Sequence, residues 1–370
     1  MEKEVTKSSS INWDDLSFSL IPTRSMYKAT CIKGGDWNEG DLVPFGNIEL
    51  SPAAAVLNYG QGIFEGSKAY RTEKNRIVIF RPAMNGERMQ KSAKRLCIPP
   101  VSNEMFLNAI ENTVLDNIDF VPPINKGSLY IRPIIWGTGP VLGIQEAPSY
   151  TFLVYVSPVG PYFKGEIPCL HIKVTKSFHR TATKGTGSIK AIGNYASSLY
   201  PLKNSKEQGF NELMYLNSQN EDLIDELGSA NVFALKDGKL VTPKLSGSIL
   251  PGVTRDSTIK IARDILGLDV IEKDVYLEDF LLADEVFCTG TAVVICPIGR
   301  ITTDDDSIEI SNKIGPITSQ LRKTLLDIQL ERIEDKFGWL NAINNLYVIF
   351  NKSASCSRIS FARLVFNIYN

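Results

Sequence analysis

A stretch rich in proline and glycine near the middle of the chain sets the strongest limit on its fold. Residues 157–168 contain three prolines and two glycines, which interrupt helices and central strands. The chain of 370 residues is long enough for two domains that each bury a core. We therefore predict a smaller N-terminal α/β domain at 1–156, a linker at 157–168 and a larger C-terminal domain at 169–345.

Hydrophobic periodicity predicts strands and helices on both sides of this linker. The predicted strands are 76–80, 128–136, 150–156 and 170–178, with a hairpin that joins 230–235 to 240–242 through Asp237-Gly238. The predicted helices are 85–96, 104–117, 254–266 and 314–335. Strands and helices do not alternate cleanly, so we expect an α+β (mixed α/β) fold rather than a doubly wound sheet.

The last 25 residues, 346–370, depart from the pattern of the rest. They are rich in serine and asparagine, contain aromatic residues and no acidic ones, and lack helix-capping signals. We predict an atypical, poorly ordered tail. The alternative is a final strand that docks on the core.

Charge and hydropathy exclude several classes of protein. The formal net charge is −1, whereas proteins that bind nucleic acid usually carry a basic excess. No apolar run is long enough to span a bilayer. The first ten residues carry both signs of charge and no apolar segment, which is unlike a secretory signal or an Arg-rich transit peptide. We therefore expect a cytoplasmic protein with no membrane or nucleic-acid partner.

Cysteine and histidine are too sparse for most metal sites. The six cysteines form no CxxC pair, and the two histidines, His171 and His179, form no HExxH motif. No G-x-S-x-G sequence provides a nucleophilic serine. The sequence predicts neither a metal site nor a serine hydrolase.

The glycine-rich stretches lack the signatures of ATP and NAD binding. Residues 185–190 and 60–66 match neither the Walker loop nor G-x-G-x-x-G. One anion site remains possible at 252–254, where Gly252 precedes a predicted helix and the amides of Val253 and Thr254 would be free. This segment is either a phosphate site or an ordinary junction between a loop and a helix.

A series of motifs favours the phosphate site. In chain order they are YGQGIFEGSKAY at 59–70, RPAMNGERMQKSAKRL at 81–96, LYIRP at 129–133, KAIGNYA at 190–196, DELGSAN at 225–231, GSILPGVTR at 247–255 and TGTA at 289–292. Their order and spacing resemble the eukaryotic, particularly plant-like, branched-chain amino acid aminotransferases. The resemblance runs from about Phe18 to Trp339.

This resemblance implies a two-domain enzyme of fold type IV, the D-amino acid aminotransferase-like fold, with pyridoxal 5'-phosphate (PLP) as cofactor. It implies reversible transfer of the amino group of leucine, isoleucine or valine to 2-oxoglutarate, giving branched-chain 2-oxo acids and L-glutamate. It also implies that 169–345 is the PLP-binding domain and that the enzyme is a homodimer.

The resemblance assigns cofactor-binding roles to seven residues. Lys190 would hold PLP covalently and act as the catalytic base. Tyr195 would bond to the phenolic oxygen of PLP, and Glu226 to its pyridine nitrogen. The phosphate would be bound by the guanidinium of Arg88, the amides of Val253 and Thr254, and the hydroxyl of Thr291.

The resemblance also implies a pocket for the substrate. Arg132 would bind the distal carboxylate of glutamate, and Ser229 and Ala292 would lie at the α-carboxylate. The matching aromatic residues of the side-chain pocket are Phe18, Tyr59, Phe64, Tyr130 and Tyr162. Burial of two or three methyl groups against such walls favours branched side chains by roughly 2 kcal/mol.

Two alternatives stay open at this point. The same chemistry could act on methionine-like or D-amino acids, since the sequence does not rank leucine, isoleucine, valine and methionine. The chain could also be a weakly active PLP-binding paralogue, because Arg24 stands where the family usually has Asp and the ending is atypical.

Overall fold

The structure is a computed structural model that describes residues 7–162 and 167–343. The predicted tail at 346–370 lies outside the described residues, as does part of the predicted linker. The described chain forms two β-sheets with helices packed on them, which confirms the expected α+β character.

The first sheet is formed mainly by residues before the predicted linker, and its strand pairs are antiparallel. Its strands are β1 (Ser25–Ile32), β2 (Asp41–Pro44), β3 (Gly62–Phe64), β4 (Ser67–Arg71), β5 (Ile77–Phe80), β6 (Ser128–Gly137) and β7 (Ser149–Val159). Their order is β5-β4-β6-β7-β1-β2, and β3 pairs with β6 beside β4. β7 continues to Val159, so the first residues of the predicted linker belong to a strand.

The second sheet is mixed and has the order β10-β9-β8-β15-β14-β11-β12-β13, with β16 on β15. Its strands are β8 (Leu170–Thr175), β9 (Glu212–Leu216), β10 (Ile224–Leu227), β11 (Asn231–Lys236), β12 (Lys239–Pro243), β13 (Asp269–Lys273), β14 (Glu285–Gly290), β15 (Val294–Thr302) and β16 (Ser307–Glu309). β11 and β12 form the predicted hairpin, with Asp237 and Gly238 at positive φ.

One strand near the end of the chain belongs to the first sheet rather than to the second. β17 (Leu340–Ile343) pairs antiparallel with β5 and forms an edge of the first sheet. The range 169–345 therefore includes residues that complete the first sheet, and the predicted domain division omits this return of the chain.

Helices cover the sheets and are, in order, α1 (Ala55–Tyr59), α2 (Pro82–Arg95), α3 (Asn103–Asp116), α4 (Gly193–Ala196), α5 (Leu199–Glu207), α6 (Val253–Asp264), α7 (Leu277–Leu281) and α8 (Pro316–Gln329). Local signals explain several ends: α2 and α8 begin at a proline, and the Ser102 hydroxyl accepts the Met105 amide at the start of α3. Within the described ranges, none of the helices has the length and apolarity needed to cross a membrane.

The two sheets share a hydrophobic core. In β5, Ile77 and Ile79 face the core under α2 and α3, while Val78 and Phe80 face a second core with Phe233 of β11. Both faces of β5 are thus buried, which explains its uninterrupted apolar sequence. We call this second core, which includes Val78, Phe80 and Phe233, the shared core. It joins the sheets and places the candidate site at their boundary.

Candidate active site

Lys190 lies where the second half of the chain pairs with β3 through backbone hydrogen bonds. The Phe64 amide donates to the Lys190 carbonyl at 3.1 Å, and the Ile192 amide donates to the Gly62 carbonyl at 3.1 Å. The Lys190 amide donates to Ser92 Oγ on α2 at 3.1 Å, and that hydroxyl donates to the Arg88 carbonyl at 2.9 Å. These bonds fix Lys190 beside the helix that carries Arg88.

The amine of Lys190 faces two aromatic rings. Its Nζ donates to the Tyr195 hydroxyl at 2.8 Å and lies 4.6 Å from the centre of the Phe64 ring. Phe64 and Tyr195 meet edge to face, with ring centres 4.7 Å apart. The predicted lysine, the phenol and one pocket residue are therefore brought together.

Glu226 is buried on β10, and several donors hold its carboxylate. The Asn231 side-chain amide donates to Oε2 at 3.0 Å and the Leu250 backbone amide to Oε1 at 2.9 Å. Arg180 forms a buried ion pair with Oε1 at 2.8 Å. Burial raises the pKa of Glu226 to about 7, although Arg180 and the Leu250 amide favour its charged form.

Arg88 is buried on α2 and is held by Glu65. Its Nε and one terminal nitrogen donate to the two carboxylate oxygens of Glu65 at 2.8 and 2.7 Å. The other terminal nitrogen donates to the Pro251 carbonyl at 2.9 Å, at the start of the α6 segment. Although burial opposes it, the Arg88 charge holds the pKa of Glu65 below its ordinary value.

The start of α6 has no side-chain cap, so the first amides of the helix are left for an anion. Val253 and Thr254 line one cavity together with Thr291 and Asn85. Gly252, which precedes the helix, contacts a side chain of β11. A Cβ on this residue would lie 2.1 Å from Asn231 Oδ1, so the glycine makes room for the Asn231 side chain.

These groups fit PLP in kind. The amine, the phenol and the buried carboxylate would suit the ring of the cofactor, and the guanidinium, the uncapped helix start and the Thr291 hydroxyl would suit its phosphate. The Nε of Arg180 is buried and makes no hydrogen bond within the described part of the chain, so the Glu226 environment has unused donor capacity. A carboxylate with a pKa near 7 suits a partner that shares a proton with it.

Arg132 lies between two aromatic residues of the predicted pocket. Its guanidinium carbon is 4.7 Å from the Phe64 ring centre and 5.1 Å from that of Tyr130, and one terminal nitrogen donates to the Tyr130 hydroxyl at 3.0 Å. Its Nε is buried and makes no hydrogen bond to any described residue. Gly66 makes room for Tyr130, because a Cβ there would lie 2.2 Å from the hydroxyl oxygen.

Phe18 and Tyr162 extend this aromatic wall. The Phe18 ring lies 5.2 Å from that of Tyr130 and 5.7 Å from that of Tyr162. Tyr162 and Ser229 also line a neighbouring cavity of about 430 Å³. The Ala292 carbonyl accepts a bond from Lys68 at 3.1 Å, next to Thr291.

Tyr59 is placed differently from the other predicted pocket residues. It is half-exposed, and its hydroxyl donates to the Leu142 carbonyl. This bond connects Tyr59 to an exposed loop.

Two residues of the site were missed from the sequence. Glu65 lies inside the first motif and pairs with Arg88 on the following helix. A carboxylate within a motif, followed by an arginine expected to be buried, is the signal that could have identified Glu65. Arg180 lies in none of the motifs, and only its ion pair with Glu226 in the structure shows that it belongs to this group of residues.

Comparisons with known proteins identify the family of this chain. The model of the amino-transferase class IV family matches residues 62–301. A chloroplastic branched-chain amino acid aminotransferase 2 of Humulus lupulus is 45% identical over 337 residues, which cover 91% of this chain and 82% of that protein. The methionine aminotransferase BCAT4 of Arabidopsis thaliana is 43% identical and covers 90% of this chain and 94% of its own length.

Solved structures of the same family share the fold. The branched-chain amino acid aminotransferase of Escherichia coli is 28% identical with a TM-score of 0.75, over 87% of this chain and 99% of that one. A branched-chain amino acid aminotransferase of T.th., solved with pyridoxamine 5'-phosphate, has a TM-score of 0.74 at 28% identity, over the same shares of the two chains. The fold type IV prediction is confirmed, and so is the cofactor, because class IV aminotransferases depend on PLP.

The predicted cytoplasmic location is wrong. Relatives at 45% identity are chloroplastic or mitochondrial enzymes, which points to an organelle. The charge pattern of the first ten residues does not distinguish the cytoplasm from an organelle.

Motif order, site chemistry and overall fold therefore lead to one assignment. The chain belongs to the class IV aminotransferases, within the family of branched-chain amino acid aminotransferases.

Proposed function

We propose that the protein transfers the amino group of leucine, isoleucine and valine to 2-oxoglutarate. The observation that carries this proposal is the position of Arg132 between the rings of Phe64 and Tyr130. Apolar aromatic walls suit branched side chains. The same pocket presents a cation with one unused buried nitrogen to the distal carboxylate of a glutamate-type substrate.

Lys190 is the proposed catalytic residue. When bound, PLP supplies an electron sink for the carbanion at the substrate α-carbon. Once displaced by substrate, the Lys190 amine moves a proton at that carbon, and the Tyr195 hydroxyl, 2.8 Å from Nζ, orients the amine. Glu226 holds a proton at the pyridine nitrogen.

The remaining site residues hold the two anionic groups. Arg88, the amides of Val253 and Thr254, and the Thr291 hydroxyl are proposed for the cofactor phosphate. Ser229 and Ala292 are proposed for the substrate α-carboxylate. Phe18, Tyr130 and Tyr162 would form the side-chain wall, and their mutual ring contacts support this role.

The test is an assay of purified PLP-loaded protein with leucine, isoleucine or valine and 2-oxoglutarate. We expect glutamate with all three donors and none with Lys190→Ala. Borohydride reduction should label wild-type Lys190 covalently with the cofactor. Absence of product from every branched-chain donor would contradict the proposed substrates.

Methionine is a second candidate donor. Its unbranched thioether can lie against the same aromatic rings, and one relative is a methionine aminotransferase. A panel of leucine, methionine and D-leucine measures the preference. A kcat/KM for methionine above that for leucine would favour this candidate, and turnover of D-leucine would contradict L-specificity.

We also propose that the protein is a homodimer. Leu142 and Ile144 in the loop between β6 and β7 are 93% and 91% exposed, which indicates that a partner covers them. Tyr59 bonds to this loop, so its place in the pocket would be completed at the dimer interface. Light scattering should give twice the chain mass for wild type and a lower mass for the double variant Leu142→Glu and Ile144→Glu.

A further inference from the structure

Lys68 is a buried cation that the proposed mechanism does not use. It lies on β4 and only 7% of it is exposed. Its Nζ donates to the Ala292 carbonyl at 3.1 Å, so the side chain reaches from the first sheet to the turn that follows β14. An ammonium has three donor hydrogens, and this bond uses one of them.

No carboxylate among the described residues pairs with Lys68. The charged group that acts on it is another cation, Arg322, which donates to the carbonyls of Val293 and Ile295. Burial and the Arg322 charge lower the pKa of Lys68 to about 7. A buried ammonium without a counter-ion is unfavourable, so it indicates a place for an anion that is not part of the chain.

Arg88 differs from Lys68 in this respect. Its charge is already balanced by Glu65, with bonds of 2.8 and 2.7 Å to both carboxylate oxygens. A dianion next to the Arg88–Glu65 pair would still need positive charge from another group. The first turn of α6 provides only partial charge.

Lys68 lines the same cavity as Val253, Thr254 and Thr291. These are three of the four residues proposed above for the cofactor phosphate. The unbalanced ammonium and the proposed phosphate ligands therefore face one space.

We propose that Lys68 supplies the positive charge that balances the phosphate group of PLP. This inference rests on the proposed site and deepens it, since it assigns a further cofactor-binding residue. The substrate α-carboxylate is the other anion that could reach the Ala292 turn, and the experiment separates the two.

The experiment compares PLP with pyridoxal, which lacks the phosphate, as ligands of the apo protein, with affinity measured by absorbance. We expect Lys68→Met to weaken PLP binding on the order of 10- to 100-fold, the usual effect of a lost charged hydrogen bond. Lys68→Arg should stay within about threefold of wild type because it keeps the charge. Pyridoxal affinity should be equal in all three proteins. Lys94→Met, on the exposed side of α2, is the matched control and should bind PLP like wild type.

Thermal unfolding of the apo proteins tests a purely structural role. Loss of an unpaired buried charge should leave the Tm of apo Lys68→Met at or above the wild-type value. An unchanged PLP affinity in Lys68→Met would overturn the proposal. If the KM for leucine then rose alone, the charge would serve the substrate carboxylate. If wild type itself bound no PLP, the proposed function would fail as well.

Discussion

Glu226 is the residue whose surroundings most directly constrain the chemistry. Its carboxylate accepts bonds from Asn231 and the Leu250 amide and pairs with Arg180, all in a buried setting. Burial raises the pKa of Glu226 to about 7, so this carboxyl group exchanges a proton near neutral pH. We infer that the carboxylate is arranged to share a proton with the cofactor ring.

Replacement of Glu226 tests this inference through activity. Glu226→Gln keeps the shape, replaces one acceptor oxygen by an amide donor, and removes the charge that would stabilise a protonated ring. We expect kcat to fall on the order of 10²- to 10³-fold, while covalent labelling at Lys190 persists. A kcat within about threefold of wild type would contradict the assigned role.

The same residue predicts a pH dependence of apo-protein stability. A carboxyl group whose pKa is raised on folding stabilises the folded state below the unfolded value of 4.5, and this contribution is lost as the pH rises through about 7. Urea unfolding at pH 5 and at pH 8 measures how much the free energy of unfolding falls as the pH rises. This fall should be smaller in Glu226→Gln than in wild type. An equal or larger loss in the variant would contradict the direction of the shift.

At the level of single residues, the motifs of the sequence correctly predicted which side chains lie together. Lys190, Tyr195 and Phe64 do meet, as do Arg132 and Tyr130. Their roles stay predictions until the assays above are made. Arg180 lies outside all the motifs, and Lys68 lies inside the first motif without a role assigned to it. Neither role could be assigned from the sequence alone, because the function of a buried cation depends on whether a carboxylate lies next to it in space.

Among the secondary-structure elements, α8 depends on a residue far away in the chain. Glu285 at the start of β14 accepts the amides of Ile317 and Thr318 at 3.0 and 2.8 Å, and the Thr318 hydroxyl at 2.6 Å. The carboxylate thus replaces a local N-cap and compensates the positive end of the helix.

Removal of this long-range cap should destabilise the protein. Glu285→Ala would leave buried amides unsatisfied, and we expect a loss of about 2 kcal/mol in the free energy of unfolding. Ser102→Ala, which removes the local cap of α3, should lose about 1 kcal/mol. Urea titration of both variants measures the difference. A smaller loss for Glu285→Ala than for Ser102→Ala would contradict the importance of the buried cap.

Element types were easier to predict than element ends. The helix predicted at 314–335 is observed as Pro316–Gln329, and Glu331 adopts a φ of 54°, which a continuing helix does not allow. Glu331 accepts bonds from Thr72 and Arg76 in the turn between β4 and β5, so a tertiary contact ends the helical segment. The hydrophobic period carries no information about such contacts.

For the whole molecule, the strand β17 is the feature that the sequence did not reveal. Four residues are too few for a periodic signal, and the partner β5 lies more than 250 residues earlier in the chain. The overall mixed fold was predictable, because hydrophobic patterning is repeated over many elements. The compartment was not, because targeting depends on recognition by a receptor rather than on bulk composition.

Truncation tests the contribution of β17. A chain ending at residue 339 would expose the buried apolar strand β5 as a sheet edge, and we expect a lower Tm and aggregation. A chain ending at residue 343 keeps the strand and is the matched control. Scattering during a thermal ramp measures both effects, and equal behaviour of the two chains would show that the strand is dispensable.

The polypeptide leaves the first sheet after Val159 and re-enters it at Leu340, four strand positions away, roughly 19 Å at about 4.8 Å per strand. The backbone therefore connects the second sheet to the first at two separated points, in addition to the contacts of the shared core. We predict that relative motion of the two bodies is a bend about the line through these two points, and that swivelling is suppressed. Pairs of spin labels, one on each sheet, should report one dominant direction of relative motion, whereas a broad spread of directions would contradict the effect of the two backbone connections.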